Sequence, residues 1–396
     1  MVEFFKKKLG NGLTILFEKR NLPVVSVAAS VKWGAAFENA QNKGISHFIE
    51  HLMFKGTKTR GQKEIAREIE KKGGILNAFT SEEVTSYWCK MPSKHIDSGM
   101  SIVSDLILNP KFDSAEFEKE KNVIIEEIKM YHDNPRMYVL DKLKEMLYKM
   151  PFGMSIAGKE EIVRNLAKKQ VIELYNSRYT SDSMILTAVG NADFSEIVKK
   201  AEKMFPATKR SVHEEVPVKT NSDKTESRAG IDQTHFMFGF HCPSLREGGR
   251  YMHEVIGAYL FEGMSSRLFQ EIREKRGLVY SVKGDFDLGK NYGYCMIYAG
   301  TKKEAIKEIK AIILKEIKNL KSLKQRELEE CKEQLIGMRE VEEEDSTNAM
   351  NSMMLEECAG DADEYYKYRE RISEVKLEDV RKFQLKNYSS FTLIPE

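Results

Sequence analysis

Residues 44–56 read Gly-Ile-Ser-His-Phe-Ile-Glu-His-Leu-Met-Phe-Lys-Gly, GISHFIEHLMFKG. Two histidines and a glutamate sit among six large apolar residues, the pattern of a helix buried nearly all round. An unpartnered polar group in such a place costs roughly 2–7 kcal/mol by transfer estimates. His47, Glu50 and His51 therefore need a partner. On a helix His47 and His51 are four apart and project from one face. Two neutral imidazoles at that spacing can chelate one zinc ion. Glu50 follows His47 by three and lies on the same side, placed to act on water rather than to bind the metal.

A catalytic zinc usually takes three protein ligands and keeps an open position. The predicted helix over 115–131 carries Glu118, Glu120, Glu126 and Glu127. A wheel at about 100° per residue puts Phe117, Ile124, Ile128 and Tyr131 on its apolar face. Glu120 and Glu127 flank that face, seven apart, and Glu126 points toward solvent. Either Glu127 or Glu120 can reach a buried metal by this reading.

Further out, GLTILFEK and VVSVAASVKW read as β-strands, and TSYWCKMP as another. GQKEIAREIEKKGG reads as an amphipathic helix closed by Gly73-Gly74. KHIDSGMSIVSDLIL and the helix opened by Asp113 or Ser114 and closed before Pro135 follow. SMILTAVGNAD is a strand and FSEIVKKAEKMF a helix. Residues 206–230 are polar and poor in large apolar side chains, which reads as an interdomain linker. The order helix, turn, strand, helix, long charged helix then returns after residue 230, with little identity. A duplicated α+β unit accounts for it. The expected domains are 1–210, a linker over 211–228, and 229–396.

The totals narrow the function. The chain has 396 residues, with 63 basic and 61 acidic side chains for a net charge of +2. No global field favours nucleic acid or a membrane surface. Five scattered cysteines with no CxxC pair argue against a disulfide framework and for a reducing compartment. The first twenty residues hold no apolar run like that of a signal peptide, and no run reaches the roughly 18 residues of a membrane span. The expectation is a cytoplasmic protein.

His47-x-x-Glu50-His51 is the inverted zincin order, H-x-x-E-H. Glu127 follows His51 by 76 positions, and Glu120 and Glu127 form an E-x6-E pair. Together with NAFTSEEVTSYW and GMSSRLFQEIREKRGLVYSV, these features resemble the pitrilysin family of zinc peptidases, which includes insulin-degrading enzyme and the mitochondrial processing peptidase. The resemblance implies one Zn2+ per chain held by His47, His51 and Glu127. It implies Glu50 as general base and Glu120 as a residue that supports histidine orientation. Asn77 and Ala78 would lie on an edge strand whose backbone pairs with an extended peptide. Arg273 and Tyr280, in the second half, would reach toward substrate at the zinc.

The second half offers no second zinc site. Aligned on LFEG against MFKG, the positions of His47, Glu50 and His51 become Glu254, Gly257 and Ala258. The glycine-richer stretch that the family usually carries before MSSRLF is reduced here to FEG. The resemblance implies an α+β fold of two duplicated domains, each an antiparallel-rich sheet covered by helices, forming one half of a clamshell. It implies a homodimer hydrolysing peptides in a closed chamber, or a heterodimer with a zinc-less relative. Two rivals remain: a non-catalytic structural or partner subunit of a heterodimeric processing peptidase, and a small-molecule zinc lyase. S-ribosylhomocysteine lyase has a similar motif, but on a single short domain with a cysteine ligand.

Overall fold

A computed structural model describes residues 3–208 and 216–396. The chain divides into two compact units. The first comprises residues 1–128, 155–215 and 342–365, and the second 129–154, 216–341 and 366–396. Residues 211–215 of the expected linker lie outside the described residues, while Asp223–Arg228 forms a strand of the second sheet.

The first unit holds strands β1 (Glu3–Lys8), β2 (Thr14–Lys19), β3 (Val24–Val31), β4 (Ile75–Thr80), β5 (Thr85–Pro92) and β6 (Met184–Gly190). Their order across the sheet is β1-β2-β6-β3-β5-β4, antiparallel except for β2 beside β6. The central strands are apolar and β-branched because both faces are covered. Along β3, Val25, Val27, Ala29 and Val31 join the main core with helices α1 (Ile45–Met53), α2 (Gln62–Glu70), α3 (Ile96–Leu108) and α4 (Ser114–Asp133). The alternate residues are small, and Ser26 Oγ lies 2.9 Å from Ser346 Oγ on the helix Ser346–Ala359, which packs on the other face. The sheet is thus sandwiched between helices.

The edges differ in character. β1, EFFKKK, carries lysines along its exposed side, a composition that discourages pairing with another chain. Among the described residues β4, ILNAFT, is paired only with β5 and its other edge is open.

The second unit holds β7 (Asp223–Arg228), β8 (Thr234–His241), β9 (Val279–Leu288), β10 (Gly293–Thr301) and β11 (Ser389–Pro395), ordered β7-β11-β8-β10-β9. Its one parallel pair is β7 with β11. With β1 set aside, the order and the place of the parallel pair repeat those of the first sheet. The helices Arg250–Leu260, Ile306–Asn319 and Gln325–Glu343 contribute apolar side chains to its core. The duplication expected from sequence is present as topology. No helix among the described residues is long and apolar enough to cross a membrane.

Candidate metal centre

Helix α1 starts at Gly44, whose φ of 99° is a backbone state that disfavours side chains. A Cβ there would also meet the Ala157 carbonyl oxygen at 2.6 Å. No side chain of the helix itself caps its N-terminus. Instead Glu38, fully buried, accepts from the Gly44 and Ser46 amides at 2.8 and 2.6 Å and from the Ser46 hydroxyl. Burial pushes the Glu38 carboxyl up to about 6, against the pull of Lys43 and these hydrogen bonds. Lys43, also fully buried, donates to the Ala35 carbonyl at 2.7 Å and lies 3.8 and 3.9 Å from Glu38 and Glu82. Both buried carboxylates thus lie beside the one buried cation, the pairing that a dry interior requires.

One turn on, His47 and His51 stand with ring centroids 4.6 Å apart. Asp113 Oδ1 accepts from the amides of Ala115 and Glu116 and opens α4, the helix that brings Glu120 and Glu127 to them. Glu127 Oε2 lies 3.8 Å from His47 Nε2 and 3.4 Å from His51 Nε2. One donor atom from each of the three residues falls within 4.8 Å of the others. A tetrahedral zinc with ligands near 2.0–2.1 Å sets its donors roughly 3.3 Å apart. Two imidazole nitrogens and a carboxylate oxygen at these separations fit such an ion, and all three side chains are 13–20% exposed, which leaves an open side.

Glu120 sits behind this group. Its Oε1 is 2.9 Å from His51 Nδ1, so it accepts from that nitrogen and leaves Nε2 for the ion. Lys55 Nζ lies 2.7 Å from Glu120 Oε2. Glu120 is itself buried; burial would raise its carboxyl, but His51 and Lys55 outweigh it and hold it low. Burial also pulls the His51 imidazole down, yet the hydrogen bonds and charges of Glu120 and Glu127 win and push it up to about 9. His47 has no such support. Its Nδ1 is buried without a hydrogen bond among the described residues. Burial and the neighbouring His51 lower it to about 4, against the pull of Glu127.

Glu50 lies on the same face of α1. Burial raises its carboxyl, partly offset by the Thr80 hydroxyl, which donates to Oε2 at 2.6 Å. Asn77 and Ala78 lie on β4, the strand with the open edge; Asn77 is exposed and Ala78 half-buried. Glu126 is exposed.

Arg273 and Tyr280 belong to the second unit. Arg273, on the short wide turn Phe269–Glu274, is 45% exposed and covers the Phe269 ring at 4.8 Å. Tyr280, on the edge strand β9, is 73% exposed. The positions aligned with the motif of α1 are differently employed. A Cβ at Gly257 would meet the Phe286 ring at 2.5 Å, so no glutamate fits there. Glu254 accepts from the Tyr368 hydroxyl at 2.8 Å. His47, His51 and Glu127 form the one group of potential metal ligands among the described residues.

Comparison with known proteins agrees with this division. Residues 14–160 match the family model of Insulinase (Peptidase family M16), and residues 165–335 match that of the Peptidase M16 inactive domain. An uncharacterised zinc protease of Rickettsia felis is 35% identical over 318 residues, 78% of this chain and 77% of that one. The uncharacterised zinc protease YmxG of Bacillus subtilis is 33% identical over 359 residues, 87% of each chain. In structure, a protease from Helicobacter pylori superposes with a TM-score of 0.90 at 20% identity over the whole of both chains. A peptidase M16 inactive domain from Pseudomonas fluorescens gives 0.87 at 16% identity, covering all of this chain and 98% of that one. At these identities the structural likeness speaks for the fold.

Proposed function

This chain belongs to the insulinase family of peptidases, M16, and on that premise we propose that it is a zinc endopeptidase acting on peptides or unfolded segments. The observation that carries the reading is the convergence of His47, His51 and Glu127 beside Glu50. His47, His51 and Glu127 would hold the zinc, which when bound would supply Lewis acidity to the scissile carbonyl and to a water beside it. His51 is kept in the right orientation by Glu120. Glu50 takes a proton from the attacking water at its carboxylate and returns it to the leaving amine. Burial raises the Glu50 carboxyl above its ordinary value, the direction that favours a group which must both accept and donate a proton. The open edge of β4, with Asn77 and Ala78, would hold an extended peptide by backbone pairing, which tolerates varied sequences.

In this proposal a homodimer completes the enzyme in the cytoplasm. Arg273 and Tyr280 of one subunit would act at the site of the other, with the Tyr280 hydroxyl donating to the developing oxyanion. Each chain carries both sets of residues, so one kind of chain suffices; a zinc-less relative could also serve as partner.

A fluorogenic peptide assay with zinc and with chelator tests the reading. Cleavage that chelator abolishes and zinc restores is expected. Glu50→Gln should keep one zinc per chain yet lose turnover, and Glu127→Gln should lose zinc. A zinc-loaded wild-type chain that cleaves no unstructured peptide would favour the non-catalytic subunit instead.

A further inference from the structure

Thr80 ends β4, and its place there bears on the base. Side chains alternate along a strand, so Thr80 shares a face with Leu76 and Ala78, both packed against the core that includes α1. Its hydroxyl donates to Glu50 Oε2 at 2.6 Å, and among the described residues it is the one hydrogen-bond partner of Glu50. A carboxylate with one oxygen held by a neutral donor keeps its other oxygen free to accept a proton.

The contact is framed on both sides. Directly after Thr80, the Ser81 and Glu82 carbonyls accept from the Ala35 and Ala36 amides at 3.0 and 2.7 Å. Glu38, a few residues on, caps α1, and buried Lys43 lies between Glu38 and Glu82. The strand end and the helix start are thus both hydrogen-bonded to the segment 35–38, which places Thr80 against Glu50.

We propose that Thr80 is a positioning residue for the reaction: its hydroxyl fixes the Glu50 carboxylate so that Oε1 faces the water, and its strand aligns the peptide with that base. This rests on the peptidase reading. Substrate pairing on the open edge of β4 and orientation of Glu50 from its core face are then two tasks of one strand. Thr80 acts through Glu50 and need not touch the peptide.

The test compares Thr80→Val, Thr80→Ser and wild type, each loaded with zinc. Val keeps the size and β-branching of Thr and removes only the donor. Thr80→Val is expected to hold one zinc per chain and to melt with the wild type, while kcat falls about 10- to 100-fold, the scale of a small misplacement, at unchanged KM. Thr80→Ser is expected to restore most of the loss. A second readout needs no turnover: in the Glu50→Gln background, the Kd of a fluorescent peptide is expected to be the same with and without Thr80→Val. An unchanged kcat in Thr80→Val overturns the inference, as does a rise in KM or Kd, which would make Thr80 part of the peptide-binding surface. A wild-type chain that cleaves nothing overturns the peptidase reading beneath it, and the inference with it.

Discussion

His51 is held on both nitrogens by carboxylates, Glu120 on Nδ1 and Glu127 near Nε2. Its value of about 9 lies above the ordinary 6.5. In chelator-treated protein the stabilisation from charged His51 is complete below pH 6.5 and is lost as pH rises through 9. A metal arriving at Nε2 at neutral pH must displace that proton. Zinc binding at pH 7 is therefore expected to release about one proton, and apparent affinity to rise about tenfold per pH unit until it levels near pH 9. Calorimetry in buffers of different ionisation enthalpy reads this directly; binding at pH 7 without proton release would contradict it. Much of this neighbourhood was legible in the sequence, because the spacing of His47, Glu50 and His51 on a helix dictates one face. The wheel of α4 placed Glu120 and Glu127 on one flank and could not separate them. Which nitrogen of His51 each carboxylate meets depends on how α4 crosses α1, a tertiary fact. Lys55 and Thr80 carry no periodic signal, and only the fold shows their partners.

Among the elements, α1 depends on a buried cation. Lys43 is fully enclosed with Glu38 and Glu82, and a methionine there would leave two carboxylates facing each other in a dry interior. Lys43→Met is expected to cost about 3–5 kcal/mol, the usual penalty for breaking a buried pair, read by denaturant unfolding. A loss under about 1 kcal/mol would mean that the group behaves like a surface ion pair. At β4 the expectation concerns the backbone. Peptides N-methylated at alternate residues should show a raised KM, since strand addition needs their amides; equal KM for methylated and plain peptides would argue against edge pairing. The buried strands β2 and β3 were plain in TILFEK and VVSVAASV, where β-branched residues crowd together. The helix Pro135–Leu147 was not. Pro135 reads as the stop of α4, but Asn134 Oδ1 accepts from the Arg136 and Met137 amides and Pro135 takes the first turn, so the same pair also starts a helix. The linker reading failed to show β7, DKTESR, whose polar residues look like coil until β11 lies alongside.

For the whole molecule, the repeated strand order shows that one supersecondary plan was used twice, with the group of potential metal ligands in one copy and, in the other, a phenylalanine packed at the position that corresponds to Glu50. That division was visible in sequence as an H-x-x-E-H that occurs once. What no sequence reading supplies is where Arg273 and Tyr280 act. If they act on the partner subunit, mixing Arg273→Ala chains with Glu50→Gln chains should restore activity to about a quarter of wild type, since half the dimers are mixed and each has one intact site. Mixtures as inactive as the separate variants would place both groups in one chain. The claim beneath all of this is that three side chains from α1 and α4 hold one zinc ion. Anomalous diffraction at the zinc edge from zinc-loaded crystals tests it most directly. A single strong peak about 2.0–2.2 Å from His47 Nε2, His51 Nε2 and a Glu127 oxygen is expected; zinc bound elsewhere, with no peak among those three atoms, would contradict it.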